Sequence, residues 1–175
     1  MIVCRSINNV IGINNNLPWD IKMDKYFFHY IIKDSIIIQG SSYYKKYKTV
    51  LPGTYATIIL SNSMKNSIKL NVSNIFIFNN ILDALKFSKT FNKKIFVCGG
   101  EKIYKECFKY TDYLYITTIF KKFKGDTYFS PEWKNYFNNC LYKSDLYTEN
   151  NLLFNFEVFK NYTINIYYNL CDKQN

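Results

Sequence analysis

The stretch "KIFVCGGEKIYKECFKY", residues 94–110, predicts a strand, a sharp turn and a helix in direct succession. Its first part is a nearly continuous apolar run, typical of a strand that is buried on both faces. Gly99 and Gly100 follow this run, and a helical pattern begins directly after them. Glycine lets the backbone approach a ligand closely, and the free N–H groups at a helix start attract phosphate. The spacing is not G-x-G-x-x-G, so a plain tight turn is the competing interpretation.

Similar apolar runs earlier in the chain extend this unit to a sheet, and they lie at residues 35–40, 56–61 and 74–78. Helical patterns are predicted at residues 24–33, 41–47, 80–91 and 101–110, with Asn79 or Asn80 as the N-cap of the third. After residue 111 the pattern changes to alternating strands. The sequence therefore predicts an α/β fold whose central, mostly parallel sheet ends in an antiparallel C-terminal edge, with about four flanking helices.

Length and composition indicate a single globular domain. The chain has 175 residues, of which 48% are hydrophobic and 21% are charged. We expect the domain to span residues 1–160 and residues 161–175 to form an extension, as an extra strand or a tail. No apolar run approaches the roughly 18 residues of a membrane span. The chain also starts directly in a strand-like run, without room for a signal peptide, so we expect a cytoplasmic monomer with no membrane contact.

The cysteines and the charge exclude two further classes of protein. The five cysteines are odd in number, widely spaced and without a C-x-x-C motif, so we expect reduced thiols and no metal site. The formal net charge is +10, yet the lysines are scattered and the strongest cluster, "YYKKYK" at residues 43–48, is short. Arg5 is the single arginine, although arginine is the usual residue for reading bases and gripping phosphates. Nucleic acid is therefore not expected as a partner.

Asp24 is an acid at the head of an apolar helical stripe. Phe27, Phe28 and Ile31 follow it at three, four and seven positions, so they share its face of the helix. An acid in the first turn favours the helix dipole, which explains its position but not the apolar stripe beside it. A carboxylate turned inward needs a partner that satisfies it, such as a cationic or amide-like heterocycle.

Nine short motifs follow one another in an order that resembles dihydrofolate reductase over roughly residues 1–160. They are "VIG" (10–12), "LPW" (17–19), Asp24, Gly40, "LPG" (51–53), "IILS" (58–61), "CGGEKIY" (98–104), "YIT" (115–117) and "GDTYF" (125–129). Each motif alone is weak, whereas the ordered set is specific. The resemblance implies the dihydrofolate reductase fold for the predicted α/β domain.

The resemblance also implies a reaction, the NADPH-dependent reduction of 7,8-dihydrofolate to tetrahydrofolate. Asp24 matches the family's buried carboxylate, which bonds the pterin and favours protonation of a ring nitrogen while hydride reaches the adjacent carbon. Thr117 matches the hydroxyl that bonds this carboxylate, and Trp19 the loop residue that holds an ordered water. Tyr104 matches a residue against the nicotinamide. These four residues are the expected catalytic set.

The resemblance places further residues around the two small molecules. On the substrate side it implies Val3, Cys4, Asp24, Phe28, Tyr47, Leu51 and Thr117. On the cofactor side it implies Cys4, Ile11, Gly12, Gly40, Ser41, Ser42, Tyr43, Leu60, Ser61, Gly99, Gly100, Glu101, Lys102, Ile103 and Tyr104. In the family the two glycines are joined by a cis peptide, and Ser61 and Lys102 match positions near the adenosine 2′-phosphate.

The departures from the family pattern all concern anions. After "LPG" the family usually has an Arg that grips the substrate's glutamate, and here Thr54 stands in its place. After Gly40 it usually has a basic residue and a Thr, replaced here by Ser41 and Ser42, and an apolar position near the substrate is Lys25. Losing a bidentate Arg contact costs about 1.5–3 kcal/mol, or about ten- to a hundredfold in affinity.

Several interpretations of these departures stay open. Nearby cations supply the missing charge in a looser form, and the candidates are Lys25, Lys45, Lys46, Lys48 and His29. Alternatively, the substrate's tail is no longer recognised and the enzyme reduces a related pterin or a riboflavin precursor. A third alternative is a non-catalytic pterin- or nucleotide-binding protein on the same fold, whose positive charge holds an anionic partner such as RNA.

Overall fold

The structure is a computed structural model that describes residues 1–64 and 74–163. Its four α-helices are α1 (Lys22–Ile32), α2 (Ser41–Tyr47), α3 (Ile81–Lys89) and α4 (Glu101–Cys107). The predicted helix at residues 101–110 is therefore shorter, because a 3-10 turn replaces its last part at Phe108–Tyr110. Asn80 is the N-cap of α3, since its Oδ1 accepts from the Asp83 N–H at 2.9 Å. Of the predicted extension, residues 164–175 lie outside the described residues.

The chain's strands, in order, are β1 (Ile2–Ser6), β2 (Val10–Gly12), β3 (Ile36–Gly40), β4 (Ala56–Leu60), β5 (Ile75–Phe78), β6 (Ile95–Val97), β7 (Tyr113–Ile119), β8 (Thr127–Tyr128), β9 (Asn139–Lys143), β10 (Tyr147–Glu149) and β11 (Leu152–Lys160). Strands β5, β4, β3 and β6 form one sheet in that order, and all three of its pairings are parallel. The isoleucines of β3 and β4 are fully buried, as their continuous apolar runs predict.

A second sheet carries the antiparallel C-terminal edge. Strand β1 pairs in parallel with β7, and β11 pairs with β7, β9 and β10 in antiparallel fashion. Strands β2 and β8 form a separate ribbon. The predicted α/β architecture, a mostly parallel core with an antiparallel edge and four helices, is thus confirmed, although hydrogen bonding divides its strands into two sheets and this ribbon.

Helix α1 packs against both sheets through its apolar stripe. Ile32 packs with Ile2 and Ile37 in a buried cluster, and the Phe27 ring lies 4.4 Å from that of Phe156, between ring centroids. Fully burying an isoleucine contributes about 1.5–3 kcal/mol, so these contacts define the position of the helix. They also bring Asp24, which lies on the same stripe, over β1 and β7.

No helix in residues 1–64 and 74–163 has the length and apolar character needed to cross a membrane.

Candidate functional site

Asp24 lies in the first turn of α1 and is 8% exposed. Two strand residues face it, Cys4 of β1 and Thr117 of β7, and these two are paired in register. Burial raises the pKa of the Asp24 carboxyl, while hydrogen bonds from the Thr117 hydroxyl and the Cys4 thiol lower it in part. The structure therefore places together the carboxylate, the hydroxyl and the first-strand residue that the sequence assigns to one site.

The Cys4 thiol stays protonated beside this carboxylate. Burial, and then the charge of Asp24, raise the pKa of Cys4 well above its usual value. A protonated thiol can donate a hydrogen bond, whereas a thiolate would repel the carboxylate. The Cys4 thiol can therefore donate toward one side of the buried acid.

Trp19 closes one side of this carboxylate pocket. The indole is buried and packs edge-on against Phe123, with 5.1 Å between ring centroids. It lies close enough to the Cys4 sulfur to lower that thiol's pKa. Its Nε1–H nevertheless has no hydrogen-bond acceptor of good geometry within the described part of the chain. Buried donors are normally paired, so this N–H is available to a water or a ligand, as its predicted role requires.

The Gly99–Gly100 turn follows the end of β6 and is hydrogen-bonded to the end of β3. Its peptide bond is cis, and the Gly99 carbonyl accepts from the Gly40 N–H at 2.7 Å. A Cβ on Gly99 would lie 2.8 Å from the Tyr104 ring, so the turn admits no side chain there. A Cβ on Gly100 would meet nothing within 4 Å, so the backbone is open on that side. The turn thus presents bare main chain at the carboxyl ends of parallel strands.

The Tyr104 side chain is buried beneath this turn and held there by a hydrogen bond. Its hydroxyl donates to the Ile2 carbonyl at 2.8 Å, and burial raises its pKa well above the usual range. The phenol is thus neither free nor acidic, and it supports the turn from below. A role of Tyr104 against the nicotinamide stays a prediction, and a role as proton donor does not fit this geometry.

The predicted phosphate-side residues gather at the same edge of the parallel sheet. Ser41 and Ser42 open α2 directly after β3, and Ser61 follows β4. Lys45 donates to the Ser63 hydroxyl at 3.3 Å, which brings an ammonium group to the end of β4. The Lys102 side chain is 80% exposed, next to Glu106 on its own helix.

The predicted cofactor residues fall into two groups by accessibility. Ile103 and Leu60 are buried in the core, and a Cβ on Gly40 would lie 3.4 Å from Ile103. The side chains of Ile11 and Tyr43 are half-buried. The carboxylate of Glu101 accepts from the Tyr128 N–H at 3.2 Å, and the Gly12 carbonyl accepts from the Asp126 N–H at 3.1 Å. These two hydrogen bonds hold β8, and the residue before it, against the predicted cofactor residues.

The predicted substrate residues do not all face the pocket. Phe28 and Leu51 pack around the cluster below α1, at the pocket's edge. The Val3 side chain belongs to the main core on the other face of β1, because side chains alternate along a strand, so only its backbone can reach a ligand. Tyr47 is 47% exposed at the end of α2, where its ring lies 4.9 Å from the Lys46 ammonium.

Two of the residues expected near the substrate's tail, Thr54 and Lys25, already have partners within the protein. The Thr54 hydroxyl donates to the Leu51 carbonyl at 2.9 Å, so it is already used within its own turn. Lys25 pairs with Asp20 at 2.6 Å, and both side chains are mostly exposed. His29 is exposed and lies edge-on beside Phe28. The Lys25 ammonium, which was predicted to replace the missing positive charge, is therefore already paired with Asp20.

Sequence reasoning missed the residues that hold the loop between β2 and α1. The Glu149 carboxylate accepts from the Lys22 and Met23 N–H groups at 2.6 and 3.0 Å, so it caps α1 from a distant hairpin. The Asp126 carboxylate accepts from the Asn14 N–H at 2.7 Å, and these hydrogen bonds lower its pKa. Neither contact has a local sequence signal, because each joins segments more than 100 residues apart.

Fold and site together define the class of protein: an α/β protein with a buried acid beside an open glycine turn at the carboxyl ends of parallel strands. The family model described as dihydrofolate reductase matches residues 1–161. A dihydrofolate reductase of Buchnera aphidicola subsp. Baizongia pistaciae is 31% identical over 169 residues, covering 93% of this chain and 98% of the relative. A second, from the Acyrthosiphon pisum subspecies, is 35% identical over 137 residues, covering 78% and 80%.

A solved structure of similar fold is dihydrofolate reductase from Enterococcus faecalis, complexed with NADP(H) and RAB-propyl. Its TM-score is 0.81 at 20% identity, covering 92% of this chain and 94% of that one. The chain belongs to the dihydrofolate reductase family. The predicted family, fold class and oxidoreductase nature are therefore confirmed.

Glu149→Ala is expected to lower the free energy of unfolding by about 1 kcal/mol, because α1 loses the carboxylate that accepts from its first N–H groups. Urea unfolding at neutral pH measures this change. Glu132→Ala is the matched control, since Glu132 pairs with exposed Lys105. An exposed ion pair contributes little to stability, so its loss should cost clearly less than the loss of Glu149. Equal stability of the two variants would refute the capping role of Glu149.

The pKa of Asp24 predicts a pH-dependent stability. Burial raises this pKa in the folded protein above the ordinary 3.8, so the folded protein binds the proton more tightly than the unfolded chain. The wild-type free energy of unfolding therefore falls as pH rises between the two pKa values. In Asp24→Asn this fall is absent, so the difference in unfolding free energy, variant minus wild type, should grow as pH rises from about 4. Urea titrations across this range measure it, and a constant difference would contradict the buried, raised carboxyl.

Proposed function

We propose that this chain reduces 7,8-dihydrofolate to tetrahydrofolate with NADPH as the hydride donor. The observation that carries the proposal is the buried Asp24 carboxylate, whose cost of burial the Thr117 and Cys4 donors offset only in part. A pterin carries an amidine-like edge whose N–H groups can pair with a carboxylate. The packing of α1 buries the Asp24 carboxylate, which costs free energy. A partner of this kind offsets that cost.

The residues at the sheet edge fit a dinucleotide. The open backbone at Gly100 lets a ligand approach the turn, and Ser41, Ser42 and Ser61 offer hydroxyl groups at the neighbouring strand ends. Lys45 adds a positive charge beside Ser63. These groups suit phosphate oxygens, which accept hydrogen bonds and favour nearby cations. When bound, NADPH supplies the hydride that reduces the pterin's carbon–nitrogen double bond.

Asp24 controls where the accompanying proton goes. Its carboxylate holds the pterin edge and favours protonation of the ring nitrogen next to the carbon that accepts hydride, so one hydride and one proton complete the reduction. The raised pKa of Asp24 brings it closer to neutral pH, where general acid catalysis is most effective. The Trp19 N–H, which lacks a protein partner, can hold a water beside this pair. Thr117 fixes the carboxylate's orientation through its hydroxyl.

The direct test is an assay of the purified chain with NADPH and dihydrofolate. We expect loss of absorbance at the nicotinamide band at a rate proportional to protein concentration. If folded protein shows no turnover at millimolar substrate while it still binds NADPH, the reductase proposal is wrong and a non-catalytic binding role takes its place.

Asp24→Asn should retain NADPH binding but lose about a hundred- to ten-thousandfold in turnover at neutral pH. The reason is that the amide can neither carry the negative charge nor assist protonation. Asp20→Asn is the matched control, because Asp20 is an exposed acid four residues earlier whose partner is Lys25, and its turnover should stay near wild type. Near-normal turnover of Asp24→Asn would refute the assigned role.

Thr54→Arg should lower the KM for dihydrofolate by about ten- to a hundredfold, because a guanidinium can grip the glutamate carboxylate in a charge-assisted pair. The KM for dihydropteroate, which lacks the glutamate, should stay unchanged. Steady-state kinetics with both substrates measure the split, and Thr49→Arg on the same exposed loop is the control. An equal change for both substrates would exclude recognition of the tail at position 54.

A further inference from the structure

A cavity of about 870 Å³ lies at the end of the sheet away from the reductase site. Its walls include Ile95 and Phe96, at the start of β6, whereas the Gly99–Gly100 turn follows the end of that strand. Tyr113, at the start of β7, lines the cavity too, while Thr117 lies farther along the same strand. Among the described residues that line the cavity, none is assigned to dihydrofolate or NADPH.

The inner walls of the cavity are apolar and aromatic. They come from α3, β6 and the Tyr110–Tyr115 region, and they include Leu82, Leu85, Ile95, Val97, Tyr113 and Tyr115. A volume of this size is ordinary for a small-molecule site, and predominantly apolar walls are typical of such sites. Leu82 is half exposed, so the apolar wall continues to the cavity's mouth.

The mouth of the cavity is strongly cationic. Lys86, Lys89, Lys94 and Lys109 line it, whereas Asp112 is the one acid among the described lining residues. Lys86 and Lys89 lie four and seven residues after Leu82, so they continue the same stripe of α3 that forms the apolar wall. The side chains of all four lysines are exposed. Apolar walls therefore lead outward to a ring of ammonium groups.

We propose that this cavity is a second ligand site, for an organic anion that joins an apolar body to a single anionic headgroup. The apolar body enters between α3 and β6, and the headgroup stays at the mouth among Lys86, Lys89 and Lys94. Charge complementarity selects the anion, because its headgroup can pair with the ammonium groups of Lys86, Lys89 and Lys94, whereas an uncharged ligand of the same shape cannot. The ligand class follows from this arrangement alone, and it is independent of the proposed reductase activity.

The experiment uses 8-anilinonaphthalene-1-sulfonate as the probe, because it combines an aromatic body with one sulfonate and fluoresces in apolar surroundings. The full chain is first saturated with NADPH and an antifolate, so that the reductase site is filled. We expect one saturable probe site under these conditions. Decanoate should displace the probe about tenfold more effectively than decanol, which has the same chain length without the charge.

Two charge-reversed variants locate the site. The double variant Lys86→Glu, Lys89→Glu should weaken probe binding about tenfold or more. Lys121→Glu, Lys122→Glu is the matched control, because these exposed lysines follow the opposite end of β7, and it should bind as wild type. If the charge-reversed double variant does not fold, Lys86→Gln, Lys89→Gln replaces it, with a thermal melt as the check.

Three results would overturn the proposal. The first is loss of all probe binding once the reductase site is filled, which would place the probe there. The second is equal weakening in both double variants, which would indicate general attraction to a basic protein. The third is equal displacement by decanoate and decanol, which would remove the role of the cationic mouth, whatever segment or molecule covers the apolar walls.

Discussion

The buried carboxylate of Asp24 is the constraint on which the rest of the site depends. The apolar side chains of α1 pack that helix against β1 and β7, and Asp24, on the same face of the helix, is therefore buried. Hydrogen bonds from Thr117 and Cys4 lower the pKa of Asp24, yet the effect of burial is larger and raises it. In the proposed function, a ligand with paired N–H donors offsets the rest of this cost.

The two halves of the site differ in how they are built. The half around Asp24 is held by hydrogen bonds and ring packing: Tyr104 is bonded beneath the glycine turn, Trp19 packs on Phe123, and Glu149 caps α1. The half expected to meet the substrate's tail offers side chains that are already engaged, such as Thr54 with Leu51. For the proposed reaction, we therefore expect the pterin ring to be recognised more strongly than a distant anionic tail.

The sequence predicts best what depends on neighbouring residues. The apolar runs of β3 and β4, the glycine turn after β6 and the Asn80 cap of α3 all have local causes, and each is present. The start of α1 lacks such a cause, because Ile21 makes no side-chain cap and the acceptor comes from Glu149 instead. The prediction at residues 24–33 is therefore two residues late at this end. The assignment of both Val3 and Cys4 to the substrate came from the family resemblance, whereas alternation along β1 sends their side chains to opposite faces.

The most direct test of this account is the titration of Asp24 itself, by NMR of protein with ¹³C-labelled aspartate carboxyl groups. Asp24→Asn identifies the resonance by its absence. In the free protein the account predicts a pKa above the ordinary aspartate value, because burial dominates. With a pterin-type antifolate bound, it predicts a pKa well below that value, because a paired cationic heterocycle stabilises the carboxylate. An Asp24 resonance that titrates at the ordinary value in both states would contradict the account.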